Sequence, residues 1–159
     1  MLVGGILKKK RGDENMIEKD TVKLLRECDA GVKMGVKGID DVLDSVRSEK
    51  LKGILTESKK QHQCIEDEIR GSLARFGDDG KEPGTIAKGM SYMKTEMKLM
   101  MDSSDATVAD LMTDGCNMGV KSLCRYLNQY EAADENSKDI AKRLIHLEQS
   151  LASDMQSYL

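Results

Sequence analysis

Apolar residues recur along this chain at alternating steps of three and four, the spacing of one helix face. The first run is Leu25, Cys28, Val32, Gly35, Ile39, Val42 and Val46. Asn15 with Glu18 three residues on has the form of a capping box, so the pattern predicts a helix over 16–47. The second run is Leu51, Leu55, Ser58, His62, Ile65, Ile69, Ser72 and Phe76. It follows a candidate N-cap at Ser48 and stops at Gly77, which predicts a helix over 49–76. The break between the two is a residue or two, so they are expected to fold back as an antiparallel hairpin. Residues 77–84, GDDGKEPG, read as a loop. Ile86, Met90, Met93, Met97 and Met100 then predict a shorter helix over 85–101, with Thr85 as its N-cap. After a break at 102–105, Ala109, Met112, Cys116, Gly119, Leu123, Tyr126 and Tyr130 predict a helix over 105–132. Ile140, Leu144, Leu147, Leu151, Met155 and Tyr158 predict the last one, over 137–157.

The two hairpins repeat. Met34-Gly35-Val36-Lys37 recurs as Met118-Gly119-Val120-Lys121, a shift of 84 that also carries the apolar face of the first helix onto the third. For the second and fourth helices a shift of 82 aligns the faces, sending Ser58, His62, Ile65 and Ile69 to Ile140, Leu144, Leu147 and Leu151. Two α-hairpins of similar design predict one four-helix bundle. The segment 77–104, with its 17-residue helix, is long enough to run the length of the bundle, so that the second and third helices run parallel.

Composition narrows the function classes. The 159 residues suit one domain, and 3% aromatic content with a single Pro speaks against a β-sandwich or barrel. The net charge of −3 leaves no general basic field for nucleic acid, and so few aromatics give no stacking platform for bases. No apolar run approaches the roughly 18 residues of a membrane span. Met1 to Leu7 are mildly apolar, but Lys8-Lys9-Lys10-Arg11 follows them, the reverse of a secretory signal. Residues 1–15 therefore read as a flexible tail and 16–159 as the helical domain. A small membrane-touching anchor is the rival reading of the tail. Cys28, Cys64, Cys116 and Cys124 form no C-x-x-C pair. Cys116 and Cys124 lie about 12 Å apart along a helix, too far for a disulfide. Four reduced thiols are the expectation, in a cytoplasmic protein.

Some of these positions resemble a known family. Gly35-Val36-Lys37-Gly38, Leu51-Lys52, Glu68-Ile69, Leu73-Ala74-Arg75-Phe76-Gly77, Gly84-Thr85-Ile86-Ala87, Met93-Lys94 and Tyr126, in that order over 17–157, are similar to a bacterial ferritin-like family. That family is classed as a domain of unknown function, with relatives in general-stress and sporulating backgrounds. The resemblance implies a ferritin-like bundle and no particular activity. Where relatives often carry Glu in the first helix this chain has Val36, and the equivalent place in the third is Gly119 or Val120.

A ferritin-like fold raises di-iron chemistry, which uses inward Glu on two helices and Glu-x-x-His on the other two. Here Lys59 stands three residues before His62 and Arg143 three before His146, and the first and third helices show no carboxylate on their core faces. A standard di-iron centre is not expected. His62 lies in the apolar stripe beside Ser58 and reads as a buried, hydrogen-bonded core histidine. The metal candidates, if there is a site, are His62 and Glu66, four residues on along the same face. With two histidines and no aligned acid there is no base–nucleophile pair. The methionines of the fifth, shorter helix read as packing or as an adaptable contact surface, with soft Cu(I) ligation the rival. Gly31, Gly35, Gly38, Gly115 and Gly119 within helices imply close approach of the first and third helices. The expectation is a non-enzymatic helical protein without a cofactor, in a structural or partner-binding role. Its partner would be another protein or a second copy, met through the Met-rich helix. The alternative is a metal-binding or redox protein with a degenerate site around His62.

Overall fold

The computed structural model describes residues 2–84 and 94–159, and for residues 2–8 the backbone alone. Every regular element among them is helical. Four long helices, α1 (Leu2–Leu43), α2 (Glu49–Ala74), α3 (Asp105–Gln129) and α4 (Glu135–Met155), pack on one another, and a 3-10 turn at Gln156–Tyr158 ends the chain. Residues 94–101 form a further helical stretch in the connection between α2 and α3. The expected start of that stretch, with Thr85, Ile86, Met90 and Met93, lies outside the described residues.

Capping sets the boundaries. The side chains of Ser48, Ser104 and Asp134 each accept from the backbone amide three residues on, at Leu51, Thr107 and Ser137, and so open α2, α3 and α4. Gly77, with φ +66°, closes α2: the Asp78 amide donates to the Leu73 carbonyl in a Schellman arrangement. Phe76 consequently falls beyond the helix and is exposed, and Leu73 takes the buried place expected for it. α1 starts at Leu2 instead of 16. The stretch holds no proline, and its good helix formers Lys, Arg, Glu and Leu outnumber Gly4, Gly5 and Gly12, so the residues expected as a tail continue α1. Residues 9–19 of this extension are all exposed.

Two reciprocal locks determine how the hairpins assemble. The Asp105 carboxylate, at the start of α3, accepts from the amides of Arg47 (2.7 Å) and Ser48 (3.0 Å) in the α1–α2 turn. On α1, Asp20 accepts from the Ala132 amide (3.0 Å) and the Thr21 hydroxyl from the Asp134 amide (2.8 Å) in the α3–α4 turn. Each hairpin's first helix thus holds the turn of the other hairpin, α3 from its start and α1 from Asp20 and Thr21. A shift of 84 takes Thr21 to Asp105, so the locks obey the sequence repeat. This places α1 antiparallel to α3, and α2 parallel to α3 as the long connection requires. Lys94 and Lys98 pair with Asp114 (3.2 Å) and Asp110 (2.7 Å), laying the connection antiparallel along α3. In it Leu99 packs on the core, while Met97, Met100 and Met101 are exposed. Of the expected Met face, Met97 and Met100 are therefore not packed.

The loop after α2 is clasped to α1. Arg26 pairs with Asp78 (2.8 Å), Glu27 with Lys81 (2.6 Å) and Lys33 with both Asp29 and Glu82 (2.8 Å each). Asp29 is buried and accepts from the Lys81 amide at 2.8 Å. Gly80 lies directly over it with φ +90°, where a Cβ would run into the Asp29 carboxylate. The core face of α1 therefore does carry a carboxylate, contrary to expectation, but this one is consumed in holding a loop.

The core falls into two parts. Leu24, Leu25, Cys28, Val32, Ile69, Leu73, Leu123, Ile140 and Leu144 form one. Ile39, Val42, Leu51, Leu55, Val108, Met112, Cys116, Leu151 and Met155 form the other. Between them lies a layer of different chemistry.

Candidate functional site

Each helix contributes one position to the middle layer: Gly35 from α1, His62 from α2, Gly119 from α3 and Glu148 from α4. On every helix this position falls between the residues of the two apolar clusters, so the layer sits at the centre of the fold.

His62 is fully buried. Its Nδ1 lies 2.8 Å from the Ser58 carbonyl oxygen, one helical turn back, and an oxygen that can only accept requires Nδ1 to carry a proton. The Ser58 hydroxyl, 3.4 Å away, is a weaker neighbour. Nε2 lies 3.0 Å from Glu148 Oε1, and Glu148 is also buried. Cys116, from α3, is buried as well. Nε2 and Oε1 thus share one proton across a buried hydrogen bond. Burial works against the charge on His62. The hydrogen bond and charge of Glu148, aided by the Ser58 carbonyl, outweigh it and raise the pKa above the ordinary 6.5. Burial and the adjacent Glu148 push the Cys116 thiol strongly up, and burial with Glu27 and Asp29 pushes Cys28 up to about 12. Both are protonated, inert thiols at neutral pH.

The glycines make room for the pair. A Cβ at Gly35 would stand 2.9 Å from His62 Cδ2 and Nε2, too close for any real side chain. A Cβ at Gly119 would meet the Glu148 carboxyl carbon at 3.4 Å, an ordinary contact. Gly38 and Gly115 have nothing within 4 Å and Gly31 only a Leu123 methyl at 4.0 Å, so the expected close approach at these positions is absent.

Of the residues singled out from sequence, His62 is at the centre and buried as expected. Glu66 is not its partner: it turns to Arg70 at 3.0 Å. His146 is exposed, Lys59 pairs with Asp40 (2.5 Å), and Arg143 pairs with Glu68 (2.6 Å) and Asp139 (2.8 Å). The residue missed was Glu148. The stripe through Leu147 is apolar throughout and therefore attractive, yet Leu147 is only partly buried. The inward series is Ala141, Leu144, Glu148, Leu151 and Met155, which keeps the helical step just as well. A shift of 86, rather than 82, takes His62 to Glu148 and Ile69 to Met155. Reading α4 in the register of α2 on that shift would have found it.

The donor set does not fit a di-iron centre. His62 Nδ1 is committed to a carbonyl, its Nε2 faces the layer's one carboxylate, and α1 and α3 supply glycines there. Among the described residues no group of three or more His, Cys, Asp and Glu side chains is placed to hold a metal ion. No buried side-chain nitrogen or oxygen lacks a hydrogen-bond partner among the described residues. No described helix is long and apolar enough to cross a membrane. Comparison with protein-family models, curated proteins and solved structures finds no match to this chain.

Three measurements test this layer. Gly35→Ala should lower stability by about 1–3 kcal/mol through overpacking on the His62 ring. Gly119→Ala should be near neutral, and Gly115→Ala should gain up to about 1 kcal/mol of helix propensity, all read from urea midpoints. In a double-mutant cycle, His62→Leu and Glu148→Leu singly should each lose about 3–5 kcal/mol, because each strands a buried charge. The double variant should recover about 1–3 kcal/mol relative to their sum. The pair also couples stability to pH. Because the folded state binds the His62 proton more tightly than the unfolded chain, its contribution is complete below the ordinary pKa of 6.5 and is lost as pH rises through the raised folded-state value. The urea-midpoint advantage of the wild type over His62→Gln should shrink on that rise. An advantage that grows with pH would contradict the ion pair.

Proposed function

We propose that this chain is a ferritin-like four-helix bundle with a structural or partner-binding role, whose centre holds a shared proton where ferritin-like proteins hold metal. One observation carries the reading: the polar groups of the middle layer satisfy one another. The Ser58 carbonyl, the His62 ring and the Glu148 carboxylate form a chain of donor and acceptors. The burial of His62 and the strongly raised pKa of the buried Cys28 and Cys116 thiols support a non-enzymatic role. The parallel run of α2 and α3 and the hairpin repeat support the ferritin-like connectivity. The exposed Met97, Met100 and Met101 offer an adaptable contact surface to a protein partner.

A second reading starts from His62 Nε2 and Glu148 Oε1, 3.0 Å apart on two helices. Displacing the shared proton would leave a nitrogen and an oxygen donor to a borderline ion that took its other ligands from elsewhere. Elemental analysis of protein purified without chelator separates the two. The proposed role expects no stoichiometric Fe, Mn, Zn or Cu, and an unchanged melting temperature when these ions are added. Stoichiometric metal that disappears in Glu148→Gln would establish the second reading.

A further inference from the structure

α2 and α4 run antiparallel, with His62 opposite Glu148 and Glu68 opposite Arg143. Along this seam the two helices leave a cavity of about 530 Å³. That volume suits a small molecule. Its floor is apolar, made by the half-buried Ile65 of α2 and Leu147 of α4. The register of the seam brings Cys64 level with His146, and both line the cavity. Lys60 stands one turn before Cys64 on α2, and Lys142 one turn before His146 on α4. Because the helices run in opposite directions, the two lysines flank that level from opposite sides, and both also line the cavity.

The charge of the lining is predominantly basic. Lys60, Lys142 and His146 are exposed and make no ion pair or hydrogen bond with another described residue. Arg143 is balanced by Glu68 and Asp139, neither of which lines the cavity. Glu57, the acid of the lining among the described residues, accepts from Gln61 Nε2 at 3.1 Å. A second cavity of about 440 Å³ shares Glu57, Gln61, Leu147 and Ser150 with the first. The two are therefore one groove, which continues past Lys60 to Ile54 and Leu151. From Cys64 to Ile54 it follows α2 for about 15 Å. Its far rim carries opposite charges, Lys50 and Asp154, so the excess of free cations lies at the end with Lys60, His146 and Lys142.

We propose that the α2–α4 groove is a binding site for a small amphipathic anion, a carboxylate or phosphate carried on a straight alkyl chain. The ammonium groups of Lys60 and Lys142 close on the anionic head from either side, each a compact charge on a flexible stem. The Ser150 hydroxyl, which makes no hydrogen bond with another described residue, supplies a neutral donor. The chain lies along Leu147 toward Ile54 and removes that partly exposed floor from water. The site uses none of the side chains of the His62 layer, so it and the reading of that layer can fail separately.

The four cysteines supply the readout. Cys64 lines the groove, Cys124 is exposed on α3, and Cys28 and Cys116 are buried. The full chain is alkylated with neutral iodoacetamide and each thiol is followed by peptide mass spectrometry. Octanoate or octyl phosphate at about 1 mM, where a millimolar site is half filled, should slow Cys64 at least about twofold. Cys124 should keep its rate, and Cys28 and Cys116 should stay unmodified, which shows that the chain remains folded. Octanol and inorganic phosphate at the same concentration, each lacking one half of that chemistry, should not protect Cys64. Lys60→Glu/Lys142→Glu should abolish the protection, and Lys60→Arg/Lys142→Arg should keep it. No protection by either anion overturns the proposal, as does equal protection of Cys124. Equal protection by octanol or by inorganic phosphate, or protection that survives in Lys60→Glu/Lys142→Glu, overturns it as well.

Discussion

The hydrogen bond between His62 and Glu148 divides this molecule into its two apolar halves, and much of the rest of the structure accommodates it. A charge in the interior of a helical protein is tolerated only when its partners are fixed. Here they are fixed from three sides. Ser58 supplies a carbonyl from the same helix, Glu148 reaches across from α4, and Gly35 clears the volume in which the imidazole lies. Because only one relative sliding of α2 and α4 brings residue 62 to residue 148, the pair specifies register as well as charge balance. Leucine-like packing alone, in two clusters built of similar residues, tolerates a slip of one turn far more readily.

The pattern of apolar steps was enough to place four long helices, their turns and most of the buried positions, because each helix has one broad apolar face and α2, α3 and α4 each have a strong cap. It failed where that face stops being apolar. At α4 the polar Glu148 was passed over for the neighbouring Leu147, and with it went the partner of the one buried histidine. At α1 the expected start was taken from a capping-box pattern at Asn15, which the continuous helix overrides: a local cap signal does not stop a chain of good helix formers. The glycines show the same limit. Five positions looked alike in sequence, and the structure distinguishes Gly35, pressed against a ring, from Gly38 and Gly115, which face open space.

The middle layer also shows why a four-helix architecture and a chemical activity are separate questions. A bundle core offers inward positions on four helices at one level, and what those positions carry decides the chemistry. In this chain two of the four are glycine, one is a histidine with a committed ring nitrogen, and one is a single carboxylate. The arrangement is self-sufficient, and its polar groups face one another.

The reciprocal locks at the two hairpin turns bear on how the chain reaches this state. Neither hairpin can complete its own turn alone: Arg47 and Ser48 wait for Asp105, and Ala132 and Asp134 wait for Asp20 and Thr21. These contacts join residues 57 or 58 apart in one lock and 112 or 113 apart in the other. A half-folded chain, with one hairpin formed and the other loose, therefore leaves these amides to water and forgoes the contacts that fix the finished turn. Such an intermediate is penalised, and the two halves are driven to dock in a single cooperative step although each looks, in sequence, like an independent unit.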